Sequence, residues 1–360
     1  MSNAGHEGEE GSVGKGKYRD DPAIVVSVPH RLDIGGTWDL PPLLYFGRRY
    51  KPKTLTIALN IVTTVVIDNG TCGYNVVQMS QVGQKPYEWS GGLDAHDYTG
   101  RLGLIQAVLA FFNIEGAKVD IDIGVPPQVG LGGSGALTVA LVNACAEYAG
   151  EELNVTRTAH DIENGFFSMT GFQDQMAALA GGIRLWYWEY PPEKSIGQEL
   201  LKPIDYHYLE DRIVIAIVGK HNSTKINQQQ VQAFLTPANR QGWIDMNKGT
   251  AMAAKAIQNY DWKQLTKCIY DEHCFRNRIA PQRIADMELY IKATIGKNGV
   301  FATAGAGQAV CWYFSPDIND ILSIKDKWRD LGARLLSSKI ASSEIYDNEG
   351  NNAQRISERI

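Results

Sequence analysis

The stretch Pro126-Pro127-Gln128-Val129-Gly130-Leu131-Gly132-Gly133-Ser134-Gly135-Ala136-Leu137 constrains this chain more than any other. Before it, residues 119–123 alternate apolar and acidic side chains, which predicts a half-buried strand. After it, Leu137, Ala140, Leu141 and Ala144 recur at i, i+3, i+4 and i+7, which predicts a helix face closed by Gly150. A strand, a glycine loop and a helix in succession leave free N–H groups at a helix N-terminus, where an anion is favoured. The glycines also let a ligand approach the backbone closely. No Gly-Lys-Ser/Thr closes the loop, so it is not a Walker A motif. The same glycines would also serve a turn that merely lets strand and helix pack.

Around that loop, strands and helices are interleaved. Residues 23–28 predict a strand stopped by Pro29, and 54–68 a long β-branched strand. Asn69-Gly70 then offers a tight hairpin turn into residues 72–80. Helices are expected over 103–112 and 158–167, and an aromatic strand over 183–190. Pro191-Pro192 breaks the pattern and marks a domain boundary. The second half opens with a strand at 212–218. Helices follow around Val231 and over 246–259, 262–274, 284–295 and 320–331, with a strand, glycine loop and strand over 300–314. These elements predict two α/β domains, sandwich-like rather than a barrel, at 23–192 and 193–360. A polar, glycine-rich tail over 1–22 precedes them.

A chain of 360 residues needs no disulfide or metal staple to bury a core. Its formal net charge of −5 argues against a protein built to coat nucleic acid. No apolar run reaches membrane-spanning length and no signal peptide is visible. Five cysteines without a Cys-x-x-Cys pair suit reduced thiols, so a cytoplasmic location is expected.

Three further clusters could carry chemistry. The first, residues 29–42, packs Arg31, Asp33, Gly35-Gly36, Thr37, Trp38 and Asp39 into a few positions after the first strand. Carboxylates there could accept bonds from sugar hydroxyls, and arginine could pair with a phosphate or a carboxylate; a solvated surface turn is the alternative. Next come Glu163 and, eleven residues on, the Asp174 of Phe172-Gln173-Asp174-Gln175-Met176. Two carboxylates suit two tasks, holding Mg²⁺ and taking a hydroxyl proton, or they are a helix-surface acid and an N-cap. Last is Ala304-Gly305-Ala306-Gly307-Gln308, whose small residues admit a phosphate or a second backbone, or form a tight strand-turn-strand.

In this order and spacing, Pro-x-Arg-x-Asp…Gly-Gly-Thr-x-Asp, Gly-Leu-Gly-x-Ser-x-Ala, Gln-Asp-Gln and Gly-Ala-Gly resemble the GHMP small-molecule kinases over about residues 24–314. Residues 35–42, 172–178 and Gly181-Gly182 are most similar to the D-glycero-D-manno-heptose 7-phosphate kinase and fucokinase branch. The resemblance implies an α+β two-domain fold, with a ribosomal S5-like N-terminal domain and a ferredoxin-like C-terminal domain. It implies ATP as phosphoryl donor, Mg²⁺ as cofactor, and a sugar as acceptor, with the anomeric oxygen of a heptose 7-phosphate or similar sugar expected to be phosphorylated. No nucleic-acid or membrane partner is implied, and a homodimer is admitted.

By position, Asp174 matches the catalytic carboxylate and Arg31 the basic residue beside it. Gly130, Leu131, Gly132, Gly133, Ser134, Gly135 and Ala136 match the phosphate loop, and Ser134 and Glu163 the Mg²⁺ ligands. Gly36, Thr37, Trp38, Asp39, Gln173, Gly305, Ala306 and Gly307 would face the sugar. Gly133 and Gly135 stand where the family usually has Ser and Ala. Lys220–Lys225, Arg276 and Arg278 are candidates for a phosphate already on the substrate, with solvated surface as the alternative. Tyr87 and Trp89 are candidates for the adenine pocket. Other readings of the same motifs are a kinase for another alcohol, an unphosphorylated sugar, a cyclitol or an isoprenoid alcohol such as mevalonate; a decarboxylase of the mevalonate type; or a non-catalytic sugar- or nucleotide-binding member.

Overall fold

The computed structural model describes residues 22–36, 39–70, 73–166, 170–220, 223–305 and 307–342. Thr37, Trp38 and Ala306, expected to face a sugar, and the tail up to residue 21 lie outside them, as do Cys72, His221 and Asn222.

The N-terminal part runs β1 (Ile24–Gly35), α1 (Pro41–Gly47), β2 (Lys53–Asn69), β3 (Asn75–Gln81), β4 (Tyr87–Gly91), α2 (Gly103–Phe111), β5 (Ala117–Ile123), α3 (Gly133–Ala149), α4 (Val155–Phe166), α5 (Gln173–Ala180), β6 (Ile183–Tyr187) and β7 (Ile196–Glu199). The remainder runs α6 (His207–Glu210), β8 (Ile213–Ile217), α7 (Ser223–Leu235), α8 (Arg240–Gln258), α9 (Trp262–Ile279), α10 (Glu288–Ala293), β9 (Val300–Thr303), β10 (Val310–Phe314), α11 (Ile318–Asp330) and β11 (Arg334–Leu336). Two sheets result. The first has seven strands in the order β4-β3-β5-β2-β6-β7, with β1 also paired to β2; the second has four, in the order β11-β8-β10-β9. Because β7 joins the first sheet, that sheet extends past residue 192. Among the described residues no helix is long and apolar enough to cross a membrane, and Cys145, Cys268, Cys274 and Cys311 are free thiols.

The alternation in β5 is realised: Val119, Ile121 and Ile123 are buried while Lys118 and Asp122 are exposed. The α3 helix is buried nearly all round, because α2, α4 and α5 pack about it as well as β1 and β2. Elsewhere tertiary packing overrides the local pattern. Pro29 does not end β1, which continues to Gly35 with a register shift between Pro29 and His30. A proline is tolerated there because β1 pairs only with β2, so one strand edge makes no ladder for an N–H to join. Arg31 and Asp33 therefore stand on a strand, not on a loop after it.

The Asn69-Gly70 hairpin is also corrected. β2 and β3 do not pair; β5 lies between them, antiparallel to β2 and parallel to β3. Gly70 is instead the site of a close approach, its N–H donating to the Gly116 carbonyl at 2.7 Å. The helix expected over 284–295 shrinks to α10, and the one over 262–274 lengthens to Ile279.

Asp33 links the two halves. Its side chain is fully buried; Oδ2 accepts from Arg276 Nη1 of α9 at 2.9 Å, and Oδ1 accepts from the Gly305 N–H after β9. Truncating one partner of a buried pair leaves the other charge uncompensated. Asp33→Ala should therefore lower folding stability by about 3–5 kcal/mol, read as a shifted urea midpoint; an unchanged midpoint would remove Asp33 from this role.

Candidate active site

The glycine loop before α3, the second half of β1 and the start of α5 converge on a cavity of about 640 Å³. Arg31, Asp39, Gly130, Gly132, Gly133, Ser134, Glu163, Gln173, Asp174 and Gly305 all line it. The fold thus brings together residues spread over more than 270 positions.

Arg31 is the hub. Its Nη2 and Nε both reach Asp174 Oδ1, at 2.5 and 2.7 Å, and its Nη1 donates to the Gly130 carbonyl at 2.9 Å. The Arg31 backbone N–H donates to Leu131 O at 3.1 Å, so one residue fastens the glycine loop to both β1 and α5. Burial opposes its charge, but Asp174 and Asp33 outweigh that and hold the guanidinium above its ordinary range. Asp174 sits in the first turn of α5, where the helix dipole favours a negative charge, and its side chain stays 25% exposed.

Two glycines make room for this pair. Gly132 precedes α3 in the left-handed region at φ 72°, and a Cβ on it would lie 3.1 Å from Asp174 Cγ and 3.3 Å from Arg31 Cγ. A Cβ on Gly135 would lie 2.6 Å from Asp174 Cβ. The departure from Ala at position 135 thus has a steric reason. Position 133 has none, since its nearest neighbour would be Val125 Cγ2 at 3.6 Å. Leu131, Gly135 and Ala136 lie behind the lining and support the loop.

Glu163 of α4 is buried, lies close to the Ser134 hydroxyl and accepts a hydrogen bond from Gln175 Nε2. Burial, with help from Asp174, pushes its carboxyl up to about 7, against the Ser134 hydroxyl and the Gln175 amide. Among the described residues no lysine or arginine pairs with Glu163, and no three His, Cys, Asp or Glu side chains gather to hold a metal unaided. A desolvated acid beside a hydroxyl oxygen fits Mg²⁺, which takes few protein ligands and completes its shell with phosphate oxygens and water.

At one end of the cavity Asp39 is buried, and its Oδ2 accepts from the Gln173 N–H at 3.3 Å. Burial and then Asp174 raise its carboxyl to about 6, with Arg31 opposing. Asn227 and Gln230 of α7 also line this end, and neither was a candidate in the sequence. Gly305 touches the first glycine loop directly: a Cβ on it would lie 2.6 Å from Gly130 O. Its carbonyl accepts from Arg276 Nη2 at 2.9 Å and Arg283 Nη1 at 2.6 Å.

Asp33 is held at about 2: burial disfavours its charge, but Arg276, Arg31, Arg283 and the Gly305 N–H prevail. Arg276 is thereby committed to Asp33 and Gly305, although it reaches the lining. Arg278 is exposed, stacks over Phe275 at 5.3 Å and lies outside the lining, as does Lys220. Gly36 and Gly307 do not line the cavity. Their Cβ positions are filled by Lys53 O, at 2.2 Å, and by the Arg283 backbone, at 2.5 Å.

The other end of the cavity is walled by Met79, Leu104, Ile105, Ile123, Pro126 and Pro127, with Gln81 and Arg101. Tyr87 and Trp89 are not in the wall; Arg101 lies over the Tyr87 ring at 5.3 Å, and Trp89 packs on the core and against His96. Only the proline pair beside the glycine loop hinted at this wall.

Two outcomes follow from this packing. Gly135→Ala should cost about 1–3 kcal/mol by overpacking and shift the urea midpoint, while Gly133→Ala should leave it near wild type or above. The second concerns Glu272 of α9, which burial pushes up to about 7 despite Arg276 at 3.5 Å and the Gly36 N–H. A carboxyl raised on folding weakens the folded state progressively as pH rises from its unfolded value toward the raised one. Glu272→Gln should therefore gain stability relative to wild type between pH 5 and pH 8, by up to about 3 kcal/mol. Parallel denaturation curves with no pH-dependent gap would contradict this.

Residues 101–182, which carry the glycine loop, Glu163 and Asp174, match the family model described as the GHMP kinases N terminal domain. No curated protein sequence matches the chain. Among solved structures, a Lin0012 protein from Listeria innocua aligns with TM-score 0.70 at 14% identity, covering 91% of this chain and 100% of its own. A D-glycero-D-manno-heptose 1-phosphate kinase from Bacteriodes thetaiotaomicron aligns with TM-score 0.68 at 16% identity, covering 89% and 96%. Streptococcus pneumoniae phosphomevalonate kinase, in complex with phosphomevalonate and AMPPNP, aligns with TM-score 0.69 at 14% identity, covering 87% and 98%. The chain has the two-domain α+β fold of the GHMP kinases.

Proposed function

We propose that this protein is an ATP-dependent small-molecule kinase that transfers the γ-phosphoryl group to a sugar hydroxyl, with the anomeric oxygen of a heptose 7-phosphate or similar sugar as acceptor. The observation that carries this reading is Asp174, held by Arg31 at 2.5 Å at the edge of the glycine loop and open to the cavity.

The triphosphate lies along Gly130, Gly132, Gly133 and Ser134 at the N-terminus of α3, where backbone N–H groups and the helix dipole favour anions. The base occupies the wall of Met79, Leu104, Ile123 and Pro126. The sugar lies between Asp39, Gln173 and Gly305, where carboxylate and amide groups can bond several hydroxyls. Ser134 and Glu163 would hold Mg²⁺, which when bound neutralises charge developing on the transferring phosphoryl group.

Asp174 takes the hydroxyl proton. Both Arg31 contacts fall on Oδ1, which leaves Oδ2 for that task. Arg31 holds Asp174 in position and stabilises the transition state. The sugar oxygen forms its bond to the γ-phosphorus as the bond to the β-γ bridging oxygen breaks, and ADP leaves with that electron pair.

Incubation with Mg-ATP and a panel holding a heptose 7-phosphate, mannose, fucose, galactose and mevalonate should release ADP with a sugar. Asp174→Asn should then lower kcat by about 10²–10⁴-fold, the usual effect of losing a positioned base, with the thermal melt retained. ADP release with mevalonate alone would replace the acceptor class. Near-wild-type turnover by the variant would take Asp174 out of the role.

A further inference from the structure

Gln175 follows Asp174 on α5, lines the same cavity and is 0% exposed. The kinase reading above gives it no task. Its Nε2 donates to Glu163 Oε2. The other end, Oε1, is buried and among the described residues has no hydrogen-bond partner. A buried acceptor without a donor costs free energy, and such an atom in a native site calls for a ligand or a water to satisfy it.

Oε1 therefore belongs to a local set of oxygens: the Ser134 hydroxyl lies close to the Glu163 carboxylate, both line the cavity, and Gln175 is bonded to that carboxylate. Hard divalent cations take carboxylate, hydroxyl and carboxamide oxygens, and Mg²⁺ keeps several of its waters. Groups that orient a ligating carboxylate are part of a cation site's affinity.

We propose that Gln175 completes the divalent-cation site of this protein. Its N–H fixes the Glu163 carboxylate, and its Oε1 is the third protein oxygen offered to the cation and its hydration shell. Gln175 acts as a positioning residue through Glu163. The inference rests on the kinase reading in taking the cation to arrive with a nucleotide.

The test is Mn²⁺ binding to the protein–AMPPNP complex, read by electron paramagnetic resonance of the free ion, in wild type and Gln175→Met. Methionine keeps the length and loses both polar ends. The variant should weaken Mn²⁺ binding by about 10–100-fold, the usual effect of removing a group that orients a metal ligand. AMPPNP affinity without cation should stay at its wild-type value, which a packing role alone would not predict. Equal Mn²⁺ affinity in the two proteins would overturn the proposal and leave the kinase reading standing. Failure of the wild type to bind AMPPNP, with or without Mn²⁺, would overturn both. Should the methionine variant not fold, Gln175→Asn withdraws the amide by one methylene and is read in the same way.

Discussion

Arg31 and Asp33 stand two residues apart on β1 and so share one face of the strand. Each is nearly or wholly buried, and neither charge could remain there without partners. Arg31 finds Asp174 of α5 and the carbonyl of the first glycine loop; Asp33 finds Arg276 of α9 and the N–H of Gly305. One short piece of strand thereby fixes the positions of two glycine segments and two helices. The cavity between them is a consequence of how these charges are satisfied.

The glycines act as clearances around that network. Gly132 and Gly135 leave space for Asp174 and Arg31, and Gly305 lets the second glycine segment lie against the first. Gly36 and Gly307, which read the same way in sequence, leave space for the backbones of Lys53 and Arg283. Glycine-rich segments of similar composition thus make room for a buried side-chain pair in one place and for neighbouring backbone in another. What decides between them is which atoms stand where a Cβ would go.

Acid placement follows the same logic. Asp33, surrounded by arginines, stays ionised at very low pH, whereas Asp39, Glu163 and Glu272 are raised by burial. Two of these raised acids, Asp39 and Glu163, line the cavity, and in the proposed reading they face the acceptor and the cation. Gln175 extends that pattern by presenting a neutral oxygen beside the acid it holds.

Much was determined by the sequence alone. The alternation in 119–123, the glycine loop and the apolar spacing after it are local patterns, and local patterns suffice to set a strand, a turn and a helix. The order of Arg31, Ser134, Glu163 and Asp174 along the chain likewise marked the residues that meet at the cavity. Tertiary structure alone decided that β1 passes through Pro29, that β5 separates β2 from β3, and that Arg276 is spent on Asp33 instead of facing a ligand. It also selected Met79, Leu104 and Ile123 over Tyr87 and Trp89 for the cavity wall. The reason is physical: strand partners, the atoms filling the space beside a glycine and the counter-charge of a buried arginine come from distant parts of the chain, so no local window contains them.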